Sequence, residues 1–112
     1  PPGLKAALGT VSPESPLYVP DICLWEVATL VSLGRFRPTL PLDQWLARAV
    51  APPLVRVVPI GSAIAAEVAT LPDSFHRDPG VRLIVATARV LGMPLLTLDS
   101  RIRDSGLVAV VS

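Results

Sequence analysis

Carboxylates are the groups on this chain best placed to do chemistry. Glu26 sits in Ile22-Cys23-Leu24-Trp25-Glu26-Val27-Ala28, a run that is otherwise apolar. Burying an unpaired charge costs on the order of several kcal/mol, so Glu26 calls for a partner, a metal ion or a path to solvent. Asp99 directly follows the mostly apolar run Pro94-Leu95-Leu96-Thr97-Leu98. Read as a parallel strand, that run delivers Asp99 to the carboxyl edge of a sheet, where such sheets keep their sites. The competing reading makes Asp99 the cap of the next short helix, with Thr97 or Ser100 as polar neighbours. Asp78 stands before Pro79 at a helix start, which is a cap signal.

Other chemistries find little support. No G-x-G-x-x-G or Walker A pattern occurs, so dinucleotide and nucleoside triphosphate binding have no motif to rest on. A Ser/His/Asp triad would have to use His76, the only histidine. Next to Arg77 and Asp78, in a loop before a helix, that residue reads as a structural or capping group. The lone Cys23 excludes an internal disulfide framework and a Cys-rich zinc site, and it reads as a small core residue rather than a reactive thiol.

The elements that must position these groups are marked by punctuation. Most of the 13 prolines fall between periodic segments. Leu17-Tyr18-Val19 reads as a strand and Asp21 to Leu33 as a helix ending before Gly34. That helix is apolar nearly all round, which predicts burial. A second helix covers Pro41 to Val50, with Asp43 in its first turn where the macrodipole favours a carboxylate. Val55 to Val58 follows as a strand, then a helix from Ser62 to Leu71. A fourth helix starts at Asp78-Pro79 and stops at Gly92. Pro94 to Leu98 and Leu107 to Val111 read as strands, separated by the short Ser100 to Asp104 segment. Strands alternating with helices predict an α/β fold, a parallel sheet with helices on both faces.

The whole chain sets bounds on this reading. Its 112 residues suit a single domain, 1–112, with one core. Apolar residues make up 51% and aromatics 4%, so that core is built from Leu, Val, Ala and Ile rather than rings. The longest stretch without a charge, Val57 to Ala66, falls well short of the roughly 20 apolar residues of a membrane span. No signal-peptide pattern follows Pro1-Pro2-Gly3, and the expected location is cytoplasmic. A net charge of +1 does not by itself predict a nucleic-acid partner. All but one of the 10 basic residues are arginine, however, and Arg77, Arg82, Arg89, Arg101 and Arg103 gather in the last third, where the guanidinium can fork onto phosphates.

Several runs, in order, carry a resemblance. They are Tyr18-Val19-Pro20-Asp21-Ile22-Cys23-Leu24-Trp25-Glu26-Val27-Ala28 with Gly34-Arg35-Phe36, then Leu42-Asp43-Gln44-Trp45-Leu46. Next come His76-Arg77-Asp78-Pro79 with Arg82-Leu83-Ile84-Val85-Ala86-Thr87-Ala88, and finally Pro94-Leu95-Leu96-Thr97-Leu98-Asp99. Together they resemble VapC-type PIN domains over nearly the whole chain. The resemblance implies a three-layer α/β fold with a central parallel sheet flanked by helices. It also implies an acidic cluster that binds Mg²⁺ or Mn²⁺ and cuts RNA. Hard divalent ions prefer carboxylate oxygen and water, acidify that water and offset charge developing on phosphate. Such proteins are commonly toxins silenced by a VapB-like antitoxin and are often homodimers. No membrane partner is implied.

Carried over by position, Glu26 matches the acid of the family's W-E helix and Asp99 the acid after its T-x-D strand. The family's opening strand, with its central Asp, is not matched, because the chain starts after the place where that strand should be. The second acid of the H-x-D-P-x-D-R pattern is replaced by Val81. Asp78 lies three residues earlier on the same helix face and is the candidate substitute donor, or else a cap occupied by the first-turn N–H groups; with it the implied catalytic and metal-binding set is Glu26, Asp99 and Asp78. Asp21 is a second stand-in, or else the cap of the Trp25-Glu26 helix. Arg82, Arg101 and Arg103 are the expected contacts to RNA phosphates. Two functions stay open: a metal-dependent endoribonuclease, and a degenerate PIN domain that binds an antitoxin or RNA without cutting. An unrelated α/β domain would require the motif series to be coincidence.

Overall fold

The computed structural model describes residues 2–112 as two compact units, one of residues 2–10 with Ile60–Ser112 and one of Val11–Pro59. In both, every strand pair is parallel, as the alternation of strands and helices predicts.

The Val11–Pro59 unit is built on β1 (Leu17–Pro20) paired with β2 (Val55–Val58), Leu17 opposite Val55 and Pro20 opposite Val58. The ladder continues one step further, where the Asp21 N–H donates to the Val58 carbonyl at 2.9 Å. Tyr18 faces Arg56 across the pair, and the guanidinium carbon lies 5.8 Å from the ring centroid, a cation–π contact. Helix α2 (Ile22–Ser32) follows β1, and α3 (Leu42–Ala49) precedes β2. Trp45 of α3 meets Phe36 edge to face at 5.1 Å. Burial of α2 is not observed: none of its residues is buried, and Trp25 is 62% exposed. Within this unit α2 packs on β1, and two short strands and one other helix offer too little surface to wrap its remaining apolar side. Asp21 holds the N-cap position of α2, but its side chain makes no capping hydrogen bond, contrary to the sequence reading.

The other unit holds α1 (Pro2–Leu8), α4 (Ser62–Val68), α5 (Pro79–Leu91), β3 (Leu95–Leu96), α6 (Ser100–Ser105) and β4 (Val110–Val111). Helix α5 begins as the sequence dictates: Asp78 Oδ1 accepts from the Gly80 N–H at 2.8 Å and Pro79 opens the first turn. It ends at Gly92, whose φ of 64° is the left-handed conformation that favours glycine. Its inner face supplies Val85, Ala86, Thr87 and Ala88, all buried. Leu71, Phe75, Val85 and Ile102 form the core cluster, with Val81, Leu95, Leu107, Val108 and Val110 packed against it. Arg89 ties α5 outward, to Glu67 of α4 at 3.8 Å and to the Leu107 carbonyl at 2.8 Å. Strand β3 pairs with β4 through Leu95 opposite Val110 and Leu96 opposite Val111. No helix among the described residues is long and apolar enough to cross a membrane.

Candidate acidic site

Asp99 is set by three local features of the chain. It follows β3, the Thr97 Oγ1 accepts its N–H at 3.1 Å, and its own Oδ1 accepts the Arg101 N–H at 2.8 Å to cap α6. The strand-end reading and the cap reading are therefore both correct for this residue. Arg101 Nε stands 3.8 Å from the same Oδ1, and His76 Nε2 stands 3.9 Å from Oδ2. The carboxylate is only 28% exposed and is flanked on both oxygens by nitrogen.

His76 brings the second acid into view. Its Nδ1 accepts the Asp78 N–H at 3.2 Å, so the imidazole lies between the start of α5 and the carboxylate that caps α6. Asp78 is exposed, with Oδ1 engaged by Gly80. Beside these groups opens a cleft of about 640 Å³ whose wall includes Phe75, His76, Arg77, Arg101 and Asp104. Arg77 and Arg101 give it two guanidinium groups, the kind of donor that binds phosphate.

Arg82 is placed differently from Arg101. Its guanidinium donates to four main-chain carbonyls: Pro72 at 3.2 Å, His76 at 3.4 Å, Val68 at 3.4 Å and Leu71 at 3.2 Å. It fastens the segment after α4 to α5. Arg103 lies on the exposed side of α6, with Nε 3.5 Å from Asp104 Oδ1. Val81, in the position of the missing acid, packs against the core cluster.

Glu26 belongs to the Val11–Pro59 unit. It is half-buried on α2 rather than enclosed, which answers the cost of a charge in an apolar run. Its influence is felt at Cys23, whose thiol is pushed above its ordinary range by burial first, and then by the Glu26 and Asp21 carboxylates. Cys23 is accordingly a protonated, unreactive thiol at neutral pH.

Within neither unit, among the described residues, do three His, Cys, Asp or Glu side chains form a group able to hold a metal ion. The structure brings Asp99 and the start of α5 to His76, which with Arg77 and Arg101 lines the adjoining cleft. Sequence reasoning gave His76 a structural part and did not place it against Asp99. The usable signal is its position two residues before the helix cap, close enough for its ring to accept the cap residue's N–H.

A family model described as PIN domain matches residues 2–106. The chain is also similar to the protein called Ribonuclease VapC22 of Mycobacterium tuberculosis, with 37% identity over 99 residues, or 88% of this chain and 75% of that relative. No solved structure gives a significant match.

Proposed function

This chain belongs to the PIN-domain family, and on that footing we propose that it is a metal-dependent endoribonuclease of the VapC-like type, working in the cytoplasm on RNA. The observation that carries the reading is Asp99: an acid at the carboxyl end of a parallel strand, fixed by Thr97 and the Arg101 N–H, beside a cleft walled by Arg77 and Arg101. The relative named as a ribonuclease supports the choice of substrate.

The donors are of the right kind for Mg²⁺ or Mn²⁺. Asp99 and Asp78 each commit Oδ1 to a helix N–H and keep Oδ2 for other partners, and Mg²⁺ is commonly held by one or two carboxylates together with water and substrate phosphate. In this proposal Asp99 and Asp78 would serve as carboxylate donors to the ion, Glu26 being the acid that the family pattern adds from α2, and the ion would supply Lewis acidity toward the phosphate and toward water. The chain's own groups do the rest. Arg101 and Arg103 draw in and orient the RNA backbone. Arg82, engaged with four carbonyls, keeps the loop carrying His76 in place instead of reaching for phosphate.

A second reading is favoured by Val81, which puts an apolar side chain against the core where the family pattern has an acid. In it the chain binds a VapB-like antitoxin or RNA without cutting. One experiment separates the two. The purified chain is incubated with mixed RNA and Mn²⁺ or Mg²⁺, with EDTA and Glu26→Gln as controls. Cleavage abolished in both controls is the expected result; intact RNA from a folded sample that still binds antitoxin establishes the second reading. Homodimer formation, the remaining part of the proposal, is checked by sedimentation of the same sample.

A further inference from the structure

We infer that His76 is a positioning residue for Asp99, presenting its Nε2–H to Oδ2 and so fixing the direction in which that carboxylate offers its remaining lone pairs. The imidazole is held on every side. Its Nδ1 accepts the Asp78 N–H at 3.2 Å, which leaves the ring proton of the neutral form on Nε2, facing Asp99 Oδ2 at 3.9 Å. The ring meets the buried Phe75 edge to face at 6.2 Å and 66°. The His76 carbonyl is gripped by Arg82, so the backbone beneath the ring is pinned as well. The side chain is only 10% exposed. On the other oxygen of Asp99 the Arg101 N–H is already in place at 2.8 Å.

At 3.9 Å the imidazole is a polar neighbour of Oδ2 rather than a hydrogen-bond donor to it; with a main-chain donor on one oxygen and a ring N–H facing the other, the carboxylate has a preferred direction, from which an acid that must meet an ion or a phosphate in one geometry gains. Histidine and main-chain donors behind a ligating group act in this way, and their loss typically lowers affinity or activity about 10- to 100-fold. The arrangement also explains why a single histidine stands in so apolar a chain: it joins the cap of α5 to the cap of α6, two acids of the proposed site.

This inference rests on the proposed ribonuclease reading only for its kinetic arm. In that arm His76→Phe, which keeps an aromatic ring against Phe75 but has no N–H, is compared with His76→Gln, which restores an amide donor. The expected result is a kcat about 10- to 100-fold lower for His76→Phe with KM little changed, and recovery of most of that loss in His76→Gln. The second arm needs no activity. In uniformly ¹⁵N-labelled chain the imidazole resonances report Nε2 as the protonated nitrogen, and Asp99→Asn shifts Nε2 more than Nδ1. Imidazole resonances unmoved by Asp99→Asn overturn the inference, as does a His76→Phe chain that cuts RNA as fast as the unaltered one, or a His76→Gln chain as slow as His76→Phe. If the unaltered chain cuts no RNA the ribonuclease reading fails, and the ¹⁵N shifts alone decide the role of His76.

Discussion

At Cys23 the thiol is held above its ordinary range by burial and then by the carboxylates of Glu26 and Asp21, which makes its reactivity a gauge of the charge on Glu26. Only the thiolate is alkylated, so the iodoacetamide rate at neutral pH is expected to be slow and to rise only above the usual thiol range. Glu26→Gln removes one anion and moves the rate–pH curve to lower pH. Mg²⁺ bound at Glu26 has the same sign of effect, so the ion shifts the curve of the unaltered chain and leaves that of Glu26→Gln alone. A curve indifferent to Mg²⁺ removes Glu26 from the metal site. Stability follows the same titration: the unfolded thiol ionises first, so stability falls as pH climbs from the unfolded toward the folded thiol pKa, and Cys23→Ala abolishes that decline. Val81 supplies the complementary test. Val81→Asp places a carboxylate against Leu71, Phe75, Val85 and Ile102 and is expected to cost about 1–3 kcal/mol, read as a lower thermal midpoint. With it should come faster Mn²⁺-dependent RNA cleavage; a variant less stable and no faster shows that this position is not the missing donor.

Among the elements, α5 and the segment it clamps divide the labour between two arginines. Arg82→Ala strips four carbonyls of their donor and is expected to destabilise the fold by about 1.5–3 kcal/mol, with the salt dependence of RNA binding unchanged. Arg101→Ala should leave the thermal midpoint nearly where it is and reduce the salt slope of RNA binding by about 0.7, one phosphate contact on a single strand. If the two variants exchange these effects, the assignment is reversed. The sequence did not separate the two residues, because an arginine's target is not written beside it and main-chain oxygens carry no residue signature. Local chemistry was legible: the Asp78-Pro79 start and Gly92 stop bound α5 as read, and β2 spans Val55–Val58 as expected. Long-range choices were not. Strands β3 and β4 are only Leu95–Leu96 and Val110–Val111, since ladder length is set by the partner rather than by the apolar run. Helix α4 ends at Val68 and not Leu71; the Thr70 and Leu71 N–H groups bond back three residues, to Glu67 and Val68, in a tighter turn that sends Leu71 into the core. Helix α1, with Pro2 and Gly3 in its first turn, has no periodic apolar face to announce it; it packs on β4, and Gly3 lies against the Ser112 backbone so closely that a Cβ would strike the carbonyl oxygen.

For the molecule as a whole, the distribution of buried residues matters more than their number. Among the described residues every buried one belongs to the unit that holds α4, α5 and α6, and none lies within Val11–Pro59. A two-stranded pair without a buried face is marginal by itself. Hydrogen exchange is therefore expected to be slowest at Val85, Ala86, Thr87 and Ala88 of α5, and faster by orders of magnitude across β1 and β2. Equal protection of β1 and α5 amides would show that the Val11–Pro59 unit is stabilised by something other than its own packing.

The four oxygens that Arg82 holds belong to the main chain, and every residue type carries one. Side chains at Val68, Pro72 and His76 are thus irrelevant to the grip itself, while the arginine has no equivalent. Through random substitution, the exposed positions of the loop are free to drift in sequence so long as this one guanidinium remains and Leu71 and Phe75 keep their places in the core. A saturation library scored for folding should find position 82 nearly closed and exposed loop positions such as Asp73 and Ser74 open to most residues.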